Sequence, residues 1–183
     1  MVLDFILILF GLKKKIRPIN RIDKDTSGLV VFAKNEYIQE CLIHQMKLGD
    51  FKKDYIAIVE GHFESKKGTI NAPISRKENS IIERCVDNSG SPSITHYEVI
   101  KESEINGMKI SIVKCSLETG RTHQIRVHMS YVSHPLLGDD LYGGNTNLIT
   151  RQALHSYRIS FIHPITKQVV NYEVPLPNDL LIF

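Results

Sequence analysis

Cysteine is sparse: Cys41, Cys85 and Cys115 are an odd number, set far apart and without a C-x-x-C spacing. That pattern excludes a disulfide framework and a cysteine zinc site, and it predicts a reducing compartment, the cytoplasm. Charge of one sign is also scarce, since 23 Lys plus Arg against 20 Asp plus Glu leave a net charge of only +3. A wholly basic nucleic-acid coat is excluded, so any nucleic-acid site must be a local patch. No long hydrophobic run occurs. Residues 2–12 are apolar apart from Asp4 and Gly11, short of the roughly 20 residues that cross a bilayer. Lys13, Lys14 and Lys15 follow this run, the reverse of a signal peptide's order. It is read as a packed helix followed by a basic turn, with no membrane partner. Neither G-x-G-x-x-G nor a Walker phosphate loop occurs, so a nucleotide held at a helix N-terminus has no support.

What is present is ordinary globular composition, 42% hydrophobic and 23% charged over 183 residues, enough for one core and one domain. No repeat or linker interrupts it. The β-branched segment 29–34 predicts a strand. Ile38, Cys41, Leu42 and Met46 have helical spacing over 36–47, stopped at Gly49-Asp50. Segment 54–60 predicts a buried strand ending at Gly61. Between 64 and 93, rich in Gly, Pro, Ser and Asn, hairpin and loop are expected, with short strands near 69–74 and 81–86. Asn106-Gly107 joins strands 95–101 and 109–117 as a hairpin, because Asn-Gly accepts positive φ in a tight turn. Thr122 is expected to cap a helix to about Val132 on an Ile125/Met129/Val132 stripe. A glycine-rich loop follows over 138–147, then strands 153–162 and 169–174. Hairpins outnumber β-α-β crossovers, so the fold class is α+β, a largely antiparallel or mixed β-sheet with a few flanking helices.

Two polar clusters could carry chemistry. Asp23-Lys24-Asp25-Thr26-Ser27-Gly28 spaces its oxygens like a calcium loop, but the twelfth position is Lys34 and the intervening residues are strand-like. No metal is expected there. Either a polar loop points Asp23 into a cleft, or Asp23 and Asp25 merely make Asx-turns. The second cluster, 119–128, holds Arg121, His123, Arg126 and His128 around the helix start. At about 100° per residue, Arg126 lies beside the Ile125/Met129 stripe at the edge of the core. A guanidinium there needs an acidic partner, because it cannot lose its proton and its burial is costly. Its i±4 neighbours Thr122 and Ser130 cannot provide one. His123 and His128 lack a third metal ligand. Asp23 and Arg126 fit by chemical need, since a guanidinium would keep the carboxylate ionised and nucleophilic. Lys13–Lys15, Arg17, Arg21, Lys24 and Arg121 add local positive charge suited to phosphates, or a solvated basic face.

The segment Asn20-Arg-Ile-Asp-Lys-Asp-Thr-Ser-Gly-Leu29 resembles the catalytic motif of RluA-type RNA pseudouridine synthases. Segments 53–61, 119–128, 138–144 and 154–164 resemble that family's tyrosine strand, arginine motif and closing segments, in the family's order. The resemblance runs from about Pro18 to Pro177. It implies an isomerase that converts uridine to pseudouridine in ribosomal or transfer RNA without a cofactor or metal. Carried over, Asp23 is the catalytic carboxylate, attacking C1′ or abstracting a sugar proton, and Arg126 pairs with it. Tyr55 packs on the target base and could help remove the C5 proton. Arg21 lies near the flipped nucleotide, Leu154 floors the pocket, and Lys24, Arg121 and His123 contact or shape the RNA.

The sequence departs from the family in two respects. Asn20 stands where the family usually has His, which bears on the loop's support but leaves the carboxylate. Members usually begin earlier, with a strand pair and often an S4 RNA-binding domain. Residues up to Leu12 resemble the helix after those strands, so 1–183 is expected to be one truncated catalytic domain. A monomer is expected, with association possible through an uncovered sheet edge. Two other functions remain: a catalytically impaired RNA-binding remnant, and a carboxylate glycosidase with Asp25 as the nearby second acid.

Overall fold

In the computed structural model, residues 15–181 are described; the predicted opening helix lies outside them. The short strands β1 (Arg17–Pro18) and β3 (Phe32–Ala33) pair antiparallel, and β2 (Ser27–Gly28) lies between them in the chain. Helix α1 is Glu36–Leu48. It starts because the Asn35 side chain accepts the Ile38 N–H at 2.9 Å, and it ends at Gly49, whose φ of 78° turns its N–H back to the carbonyls of Gln45 and Met46. After it come β4 (Lys52–Glu60), β5 (Lys67–Asn71), β6 (Ile74–Arg76), β7 (Arg84–Val86), β8 (Ile94–Ile105) and β9 (Met108–Leu117). Helix α2 (Gln124–Tyr131), β10 (Leu154–Ile162) and β11 (Val169–Glu173) complete the set, with a short 3-10 turn at Asp140–Tyr142.

Strands β11-β10-β4-β9-β8-β5 form one antiparallel path, and β2 joins β10 in parallel, making a seven-stranded mixed sheet. The α+β expectation is met. The β8–β9 hairpin turns at Asn106 and Gly107, with φ of 52° and 79°, and pairs Ile105 with Met108. Both values are positive, as the favoured two-residue hairpin turn requires. β6 and β7 form a separate hairpin. Alternation along β4 sends Tyr55, Ala57 and Val59 into a cluster with Ile125 and Met129 of α2, while Ile58 enters one with Ile110, Leu137 and Leu180. A third cluster packs Leu42 of α1 on Phe51, Ile159 and Phe161. Among the described residues no helix is long and apolar enough to cross a membrane.

Two local expectations need correction. The strand expected over 29–34 shrinks to Phe32–Ala33. Asn20 explains why: its amide donates to the Leu29 carbonyl and accepts the Val31 N–H, at 3.2 and 2.8 Å, in place of a strand partner. Thr122 does not cap α2, whose N-cap is His123 at φ 57° with no side-chain cap bond. Gln124 organises this corner. Its Oε1 accepts from the Arg121 N–H and the Thr119 hydroxyl, and its Nε2 donates to the Ile94 carbonyl and Thr95 Oγ1.

Candidate active site

A cleft of about 420 Å³ opens on the sheet between α1 and α2; Met46, Asp23, Arg21, Tyr55, Ile125 and Leu154 are among the residues that line it. Asp23 opens a turn in which the Thr26 N–H donates to the Asp23 carbonyl at 3.1 Å and Asp25 takes φ 66°. Asn and Asp tolerate that conformation better than most residues. The turn is tied to the segment before β10. Gln152 Nε2 donates to the Lys24 carbonyl and to Thr26 Oγ1, and Arg151 Nη1 donates to the Asp25 carbonyl. Past the turn, Gly28 lies so close to β10 that a Cβ there would stand 2.2 Å from the Ser156 carbonyl oxygen, and its φ is 115°. Only glycine fits that approach.

Arg126 stands behind Asp23, only 6% exposed. Its Nη1 lies 3.7 Å from Asp23 Oδ2, an ion pair longer than a hydrogen bond. Its principal partner is Asp139, 1% exposed, which accepts from Nε at 2.7 Å and Nη2 at 2.8 Å. This fork-on-fork pairing is the strong form of an arginine–carboxylate contact. The Tyr142 ring lies 4.9 Å below the guanidinium. Burial opposes the charge on Arg126, but the hydrogen bonds and charge of Asp139, and then the charge of Asp23, raise its pKa on balance. The expected acidic partner of Arg126 is therefore shared: Asp139 fixes the guanidinium and Asp23 receives its remaining face.

Tyr55 lies on β4 between Ser156 and Cys115 on the flanking strands. Its pKa is pushed up to about 12, first by burial, against the Ser156 hydrogen bond, with the Asp23 charge adding to the rise. Arg21, Arg121 and Leu154 line the cleft with Asp23 and Tyr55. Lys24 and His123 are not among its lining residues. The Lys24 side chain is 93% exposed beside Asp25, and His123 Nδ1 is 2.7 Å from the Tyr142 hydroxyl. A second depression of about 350 Å³, lined by Arg76 and Arg84, shares Arg121 and Thr122 with the cleft. Among the described residues no group of three or more His, Cys, Asp or Glu side chains could hold a metal.

Asp139, Gln152 and Tyr142 are absent from the residues expected from sequence. For Asp139 one signal existed: a half-buried arginine with no acid on its own helix, and an acidic pair in a glycine-flanked loop downstream. Gln152 has no comparable signal, because its role depends on where β10 meets the Asp23 turn.

The cleft is floored by strands, with a carboxylate on a clamped turn and a buried guanidinium behind it, an arrangement on an α+β sheet suited to carboxylate chemistry. The family model for RNA pseudouridylate synthase matches residues 3–131, and the chain belongs to that family, in keeping with the RluA-type resemblance. It is 44% identical over 170 residues to the RNA pseudouridine synthase YjbO of Bacillus subtilis (strain 168), covering 93% of this chain and 59% of that one. It is 39% identical over 171 residues to the ribosomal large subunit pseudouridine synthase D of Nitrosomonas europaea, covering 88% and 48%. The solved structure of human RNA pseudouridylate synthase domain containing 1 matches with a TM-score of 0.83 at 27% identity, over 97% of this chain and 74% of that one. The chain thus spans about half the length of these curated relatives.

Proposed function

We propose that this protein is an RNA pseudouridine synthase, isomerising uridine to pseudouridine in ribosomal or transfer RNA. Ribosomal RNA comes first, because several relatives bear the name ribosomal large subunit pseudouridine synthase D. Residues 1–183 act as one catalytic domain, a cytoplasmic monomer without cofactor or metal. The observation that carries this reading is Asp23 at the cleft with the Arg126 guanidinium 3.7 Å behind it.

A base within a stem is out of reach, so the target nucleotide is extruded at a cost of a few kcal/mol, and stacking on an aromatic side chain returns about 1–3 kcal/mol. Tyr55 supplies that surface and Leu154 the apolar floor. In the reaction the C1′–N1 bond breaks, uracil turns, and a C1′–C5 bond forms while C5 loses a proton and N1 gains one. Substrate and product are isomers, so no oxidant or reductant enters. Asp23 acts as a carboxylate in both routes, by adding to C1′ or by taking a sugar proton to give a glycal. Burial pushes the Tyr55 pKa up to about 12, which keeps the phenol neutral at pH 7. Its role is therefore assigned to packing and hydrogen bonding, rather than to acting as a phenolate base. Arg76, Arg84 and Arg121 continue the positive surface away from the cleft, where backbone phosphates would lie.

Incubation with RNA tritiated at uridine C5 tests the reading. Tritium release by this protein and none by Asp23→Ala is the expected outcome. No release from ribosomal or transfer RNA, with RNA binding retained, would instead favour a binding remnant.

A further inference from the structure

Lys53 lies two residues before Tyr55 on β4, so both side chains project from the same face of the strand, and both line the cleft. Its residue surface is only 9% exposed, yet its ammonium has no hydrogen-bond or ion-pair partner among the described residues. Burial alone acts on it and lowers its pKa. Every other buried charge around the site is matched: Arg126 has Asp139 and Asp23. Gly120 lines the cleft beside the ammonium. A Cβ on Gly120 would stand 3.0 Å from Lys53 Nζ, so the backbone of Gly120 passes close to the ammonium. Arg121, the next residue, lines the same cleft and brings a second cation.

An ammonium set among buried side chains at the wall of a cleft, without a counter-charge, is partly desolvated, and that cost is offset when an anion enters the cleft. We propose that Lys53, aided by Arg121, which lines the same cleft while its Nε donates to the Pro92 carbonyl at 3.2 Å, seats a phosphate of the extruded nucleotide. The proposal rests on the RNA reading above and assigns Lys53 as a substrate-binding residue. The phosphate replaces the missing counter-ion and orients the sugar, while Tyr55 and Leu154 hold the base.

The test compares the affinity of the 183-residue chain for uridine, uridine 5′-monophosphate and uridine 3′-monophosphate by NMR titration at constant ionic strength. At least one monophosphate should bind about tenfold more tightly than the nucleoside, the scale of a charge-assisted hydrogen bond. Lys53→Met should remove most of that gain, leave uridine affinity unchanged, and melt no lower than the wild type, because it replaces an unpaired ammonium with an apolar side chain of similar length. Lys53→Arg should retain the gain. An unaltered phosphate preference in Lys53→Met, no preference in the wild type, or a large loss of stability in Lys53→Met would each overturn the assignment. A Lys53-dependent preference in a protein that releases no tritium from RNA would sink the reaction and leave the phosphate seat standing.

Discussion

Tyr55 and Leu154 stand on paired central strands, β4 and β10, and belong to the largest apolar cluster among the described residues, whereas Asp23 stands on a turn whose carbonyls and carboxylate are held by polar groups, with the preceding Ile22 packed against that cluster. Gln152 and Arg151 tie down its carbonyls, and Arg126, locked by Asp139, faces its carboxylate. The strand wall is thus fixed by the forces that fix the whole sheet. The turn wall is fixed by a short polar chain in which each member has few substitutes. Damage on the first wall should register mainly as lost stability, and damage on the second as lost geometry and turnover.

The sharpest break between the walls should come at Asp139. Asp139→Ala leaves Arg126 buried beside a single, more distant carboxylate, and removing one partner of a buried pair costs about 3–5 kcal/mol. Urea unfolding should show that loss. Tritium release should fall further than the unfolded fraction explains, because the guanidinium is freed to turn toward Asp23. Leu154→Ala, on the opposite wall, should lower stability by about 2–5 kcal/mol as a buried large-to-small change. Turnover per folded molecule should decline only modestly. If Leu154→Ala and Asp139→Ala gave the same ratio of lost turnover to lost stability, the distinction between the walls would fail.

A smaller effect is expected with pH. His128 is fully buried between Thr95 Oγ1 and the Ala72 carbonyl, and burial lowers its pKa, with the Ala72 hydrogen bond opposing. Its folded pKa lies below the unfolded value near 6.5, so the unfolded chain binds the proton first and stability falls as pH drops below about 6.5. His123 and His155 are lowered by burial too, so they act in the same direction. Thermal melting should show a lower midpoint at pH 5.5 than at pH 7.5. His128→Gln should flatten that dependence.

Much of this arrangement was legible in the sequence where the cause is local. The α1 helix, the Asn106-Gly107 hairpin and the β4 strand follow from spacing, a cap and a turn dipeptide, each acting over a few residues. That Arg126 demands an acid was legible and pointed to Asp23, but the acid at hydrogen-bond distance is Asp139, with Asp23 3.7 Å from the guanidinium. What was hidden depends on meetings between distant segments. Asp139 reaches Arg126 only because the loop after α2 folds back beneath it, and Gln152 reaches the Asp23 turn across 126 residues to Thr26. The 29–34 strand was over-extended because Asn20 satisfies its backbone by side-chain bonds that no periodicity reveals. Thr122 was a sound cap by residue type, but Gln124 took over the polar groups of that corner.

The central claim, that the Arg126 guanidinium serves Asp23 rather than the RNA, is tested most directly by measuring single-turnover rate and RNA affinity for Arg126→Lys. Lysine keeps the charge but cannot hold Asp139 through two parallel bonds while facing Asp23. The rate should fall by roughly 10²–10³, the scale of losing one aligned electrostatic group. RNA affinity should stay within about threefold, well under 1.4 kcal/mol. Equal losses in rate and affinity would contradict it.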